Sequence, residues 1–175
     1  MNIPGLGEVT KGKYGEYRSQ PIPVPVLGGK NCCFELEGYD ADPDKEAFHV
    51  AIANFLNLDA SALRAAEPHI FQYYKDSEDC WQEEDEDFKP IKSPAGVWAH
   101  VQFGKTPTVS RRTRGDKGIY ISLECGCDWE EEHGMQMVFQ NGLKVNKVGP
   151  FNGHLTNSDA YGDKSLENVV YRVRG

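Results

Sequence analysis

The chain has 175 residues, enough to bury a core without disulfide staples, and with 39% hydrophobic and 26% charged residues its composition excludes a disordered chain. Its 19 basic and 27 acidic residues leave a net charge of -8, which argues against nucleic acid as the main partner and permits a basic protein partner. No apolar run reaches membrane-spanning length and the first seventeen residues carry no apolar signal core, so a cytoplasmic protein without a membrane segment is expected.

Pro21 to Val26 alternates proline with branched apolar residues, which suits a sheet edge, because proline gives the ladder no N–H. Gly28-Gly29 turns the chain into a second strand with Cys32, Phe34 and Leu36 on one face, so the two segments read as a hairpin. Asp42 as cap and Pro43 in the first position then predict a helix whose face is Ala47, Phe48, Ala51, Ile52 and Phe55. A second helix is expected after Asp59, with Leu63, Ala66, Ile70, Phe71 and Tyr74 on its stripe and a kink or restart at Pro68.

Residues 76–87 read DSEDCWQEEDED, with eight acids in twelve positions. This is either a solvated loop or a docking surface for a basic partner, with Asp79, Trp81, Glu83, Glu84, Asp85 and Glu86 as the contact residues. After Pro94 the pattern is β: alternation over 97–103, then 108–113, then 119–129 as the strongest strand. Asn141-Gly142 between 135–139 and 143–148 is a two-residue hairpin signal, and Val169 to Val173 reads as a short last strand after a loop over 149–162. The expected architecture is α+β, a mainly antiparallel sheet with two helices packed on one face. One domain over 1–175 would hold the hairpin and helices in 1–75, the acidic loop in 76–94 and the strands in 95–175.

The densest chemistry lies at 119–134, IYISLECGCDWEEEHG. Ile119, Ile121, Leu123, Cys125, Cys127 and Trp129 share one strand face, so both thiols continue an apolar row. With His133 and a glutamate they are candidates for a metal-dependent or Cys/His-based hydrolytic enzyme. Zinc sites commonly space paired cysteines by two to four residues, and thiols on a core face stay protonated and shielded. Five cysteines without a secretion signal argue for free thiols, and no phosphate loop, dinucleotide fingerprint, GxSxG elbow or HExxH occurs. The residue pattern therefore favours a non-enzymatic protein-binding domain with no catalytic residue, metal or cofactor. Arg111, Arg112 and Arg114 are expected to balance acidic surface, and Asn157 to Asp163 to form a turn-rich loop.

The run Cys127 to Gly134, followed by Met137-Val138-Phe139, Asn141-Gly142, Val148-Gly149 and Gly153 to Asn157, resembles a bacterial family of unknown function with a Trp-x-x-Glu-His-Gly motif before a hairpin. The positions carried over are Trp129, Glu132, His133 and Gly134, and no catalytic role comes with them. Some similar small acidic proteins are regarded as immunity proteins of bacterial toxin systems. The resemblance implies a protein partner, such as a basic toxin domain.

Overall fold

The computed structural model describes residues 1–78 and 90–173. Strands β1 (Asn2–Ile3), β2 (Gly7–Lys11) and β3 (Tyr17–Ser19) form an N-terminal meander that the sequence pattern does not reveal. Strands β4 (Ile22–Val24) and β5 (Lys30–Cys32) form the expected hairpin, which stands apart as a two-stranded sheet. The next stretch leaves that hairpin, and β6 (Glu35–Leu36) pairs antiparallel with β3 in the main sheet. Its alternation survives the change of sheet, since Cys32, Phe34 and Leu36 are all fully buried.

Helix α1 (Lys45–Leu56) buries Phe48, Ala51, Ile52 and Phe55, as its period predicts. Its cap is Asp44, whose side chain accepts from the Ala47 N–H, and not Asp42. Asp42 is occupied elsewhere: its carboxylate accepts from Arg111 Nε at 2.6 Å and Nη2 at 2.9 Å, and from the Asp44 N–H. Helix α2 (Ala60–Glu78) runs through Pro68 without restarting, with Ala66, Ile70, Tyr73 and Tyr74 buried on both sides of it. Tertiary packing of that stripe outweighs the hydrogen bond that proline removes.

The alternation over 97–103 is only partly a strand. Pro94–His100 is a 3-10 helix, and β7 is confined to Val101–Phe103. Proline at its start suits a helical turn, and the coil brings Trp98 Nε1 within 2.8 Å of Glu67 Oε1 on α2. Then follow β8 (Thr108–Arg111), β9 (Ile119–Cys127), β10 (Met135–Gln140) and β11 (Lys144–Gly149). The main sheet has the order β1-β2-β3-β6-β8-β9-β10-β11, with β7 also on β9. All its pairs are antiparallel except β6–β8. This is the α+β architecture expected.

One sheet face carries the apolar row Ile119, Ile121, Leu123, Cys125, Cys127 and Trp129, beside Met135, Met137 and Phe139, all buried. Both long helices cover it. Phe55 of α1 meets Phe139 edge-to-face at 5.0 Å, and Tyr73 of α2 meets the Trp129 ring at 5.9 Å. Each fully buried ring contributes roughly 1.5–3 kcal/mol.

The other face is buried too, but by polar groups. Arg112, Tyr120, Gln136, Val138 and Lys147 lie there under the C-terminal segment. That segment holds α3 (Asn157–Tyr161), capped by Thr156, where the sequence suggests only a turn-rich loop. Residues 169–173 form no strand. The Asn157 side-chain amide donates to the carbonyls of Val169 and Val170, and the Val148 N–H reaches across to the Val170 carbonyl at 2.7 Å. No helix among the described residues is long and apolar enough to cross a membrane.

Candidate functional site

The end of β9 turns sharply at 130–134, and this turn carries the motif residues. Trp129 is the last member of the core row, 5% exposed, with its ring against Tyr73 and Tyr74. Gly134 closes the turn in the left-handed region (φ 59°), and its carbonyl accepts from Tyr73 Oη at 2.9 Å. A Cβ there would stand 2.5 Å from the Cys125 carbonyl oxygen, so only glycine fits without movement. Tyr73 thus supports both ends of the motif. It follows Ile70 by three residues on the same buried face, although the expected stripe omits it.

The sequence pairs Glu132 with His133; the structure pairs Glu130 with His133. Glu130 Oε1 accepts from the backbone N–H of Glu132 at 3.0 Å and of His133 at 3.1 Å, while Oε2 lies 3.0 Å from His133 Nδ1. A side chain at the start of a turn can reach the N–H groups two and three residues on. Glu132 comes too late in the turn for that and stays exposed. Glu130→Ala is therefore expected to cost about 1–2 kcal/mol by freeing two turn N–H groups. Glu132→Ala should stay within about 0.5 kcal/mol. Urea unfolding of the two variants checks this ordering.

A second imidazole–carboxylate pair stands near the end of β9. His100 Nδ1 is 3.0 Å from Asp128 Oδ2, and Gln102 Nε2 donates to Asp128 Oδ1 at 3.0 Å. Nothing in the sequence links positions 100 and 128; the β7–β9 pairing does.

Burial disfavours the thiolate form of the two core cysteines. Burial pushes Cys125 and Cys127 each up to about 12. The Cys127 thiol donates to the Glu130 carbonyl at 3.5 Å, where it braces the same turn. Among the described residues no three His, Cys, Asp or Glu side chains converge as a metal site would require. Cys32, Cys33, Cys125 and Cys127 are all free.

What faces solvent beyond the turn is an acidic cleft of about 340 Å³. Glu124, Glu131, Glu132 and His133 line it together with Lys105. Among the described residues none of the three glutamate carboxylates makes an ion pair or side-chain hydrogen bond. The six loop positions Asp79, Trp81, Glu83, Glu84, Asp85 and Glu86 lie outside the described residues. The arginines are spoken for in part: Arg111 holds Asp42, and Arg112 holds Asp159 and Glu167.

Fold and site together define an α+β domain with a braced motif turn, core thiols and an open acidic cleft. Residues 5–155 match a family described as a domain of unknown function, DUF6985, and the chain belongs to that family. No curated protein and no solved structure matches it.

Proposed function

We propose that the chain is a non-enzymatic protein-binding domain of the bacterial cytoplasm that captures a basic protein partner. The specific form of this reading is an immunity protein that holds a basic toxin domain inactive. The supporting observation is the cleft at the motif turn, where three carboxylates without an ion pair among the described residues, Glu124, Glu131 and Glu132, line the same cleft as Lys105. Such a surface attracts a cationic partner over about a Debye length, ~8 Å at physiological salt, and speeds encounter. The acidic run at 76–87 adds charge of the same sign.

The test combines capture of a partner, its purification, and calorimetry across a salt series. Changing Glu124, Glu131 and Glu132 together to lysine is expected to weaken binding at least about tenfold and to flatten its salt dependence. Reversing charges at Asp79, Glu83, Glu84, Asp85 and Glu86 is the separate arm for the loop. Unchanged affinity in both arms sinks the acidic-surface reading. Growth protection on co-expression with the partner tests the toxin form.

One observation favours an enzyme instead. Glu130 orients His133 as a carboxylate orients a general base, and the ring borders the open cleft. A hydrolytic activity lost in His133→Ala, with partner affinity intact, would establish that reading.

A further inference from the structure

Lys147 is 1% exposed, on the sheet face opposite the two long helices, and among the described residues its ammonium has no carboxylate partner. Nζ donates to two neutral oxygens, Gln136 Oε1 at 2.6 Å and Asn152 Oδ1 at 2.9 Å. Both acceptors are fixed as acceptors. Gln136, fully buried, spends its amide N–H groups on Ser122 Oγ (2.8 Å) and the His154 carbonyl (3.2 Å), and Asn152 Oδ1 also takes the His154 N–H (3.1 Å). The socket is therefore built around an amine donor and supplies no charge to offset an ammonium.

Its cover is thin. Residues 150–155 cross above Lys147, and Phe151, Asn152, Gly153 and His154 are exposed. The cover is held down by those polar contacts and by Asn146 Nδ2 on the Leu155 carbonyl at 2.9 Å. A segment with few apolar contacts opens at a fraction of the global unfolding free energy.

We propose that residues 150–155 form a strap that opens independently of the sheet, and that the uncompensated ammonium of Lys147 sets how often it does so. Burial pushes Lys147 down to about 8, with no charged neighbour contributing. The titratable groups around it are Tyr120 and Glu124 on β9, Lys144 on β11, His154 in the strap, and Arg112 and Asp159, which share a cleft with residues 153–155; among the described residues none of them bonds to Nζ. With the strap open the amine regains its ordinary value of 10.5. The closed state thus sheds the proton first as pH rises, and opening becomes rarer with pH.

The test is hydrogen exchange at the Asn152 and His154 amides, corrected for intrinsic rates. These amides should exchange faster than those of β10 and β11, and their protection should rise about tenfold from about pH 6.5 to about pH 9. Asn152→Asp places a counter-ion on Nζ and keeps the His154 N–H acceptor, so it should raise protection at neutral pH about tenfold or more. Lys147→Met should abolish the pH dependence; if that variant does not fold, Asn152→Asp alone decides. Strap amides that exchange only with β10 and β11, or protection unchanged in Asn152→Asp, overturn the proposal.

Discussion

Arg112→Met is expected to lower the unfolding free energy by about 2–3 kcal/mol, because it removes the buried cation that two partly exposed carboxylates, Asp159 and Glu167, share. Arg112 is 3% exposed on the sheet side and holds the C-terminal segment with both edges of its guanidinium. Nε and Nη2 donate to Asp159 at 2.7 and 2.9 Å, and Nη1 and Nη2 donate to Glu167, the latter at 3.0 Å. Glu167 is 40% exposed, so solvent screens its share and most of the effect rests on Asp159. Thermal unfolding should shift by roughly 10 °C. Arg112→Lys should recover only part of this, since an ammonium lacks the planar fork. The guanidinium holds both carboxyls below their usual range. Their stabilisation is therefore complete above the ordinary carboxylate value, near pH 4, and is lost as pH falls through the lowered native values. Acid titrations of wild type and Arg112→Met should differ in that window and run parallel above it. A loss under about 1 kcal/mol, or identical acid profiles, would show that the cluster does not hold the segment.

Gly142→Ala should cost about 2–4 kcal/mol, through left-handed strain and a backbone collision together. Asn141 and Gly142 both have positive φ, 51° and 67°, as a hairpin turn of this hand requires. The turn also docks on α1: a Cβ at Gly142 would stand 2.0 Å from the Ala51 carbonyl oxygen and 3.0 Å from the Phe55 nitrogen. Asn54 Nδ2 fastens it by donating to the Asn141 carbonyl at 2.9 Å. Helix backbone cannot yield as a side chain does, so the hairpin must lift or α1 must shift. Asn141→Gly is the control, within about 0.5 kcal/mol of wild type, since it keeps the turn and the carbonyl. Equal urea midpoints for Gly142→Ala and wild type would refute the docked turn.

The candidate site was legible in half. Strand alternation placed Cys125, Cys127 and Trp129 in the core, and the structure puts them there. The same reasoning could not choose among Glu130, Glu131 and Glu132, because that choice depends on how tightly 130–134 turns. It also missed Tyr73 and Asp128, whose partners lie 61 and 28 residues away.

Local period and turn chemistry were enough to reveal the buried face of α1, the β9 row, the β10–β11 hairpin and the α+β class. These features depend on residues within a turn or two of one another, where backbone geometry alone relates the side chains. Tertiary structure decided what depends on distant partners. Arg111 takes Asp42 and leaves the α1 cap to Asp44; packing carries α2 through Pro68; Trp98 and Glu67 coil the start of a supposed strand. Most of all, it decided that a lysine and an arginine at ordinary polar positions lie under the C-terminal segment. A charge can be buried only where several separate stretches of chain together supply its hydrogen bonds.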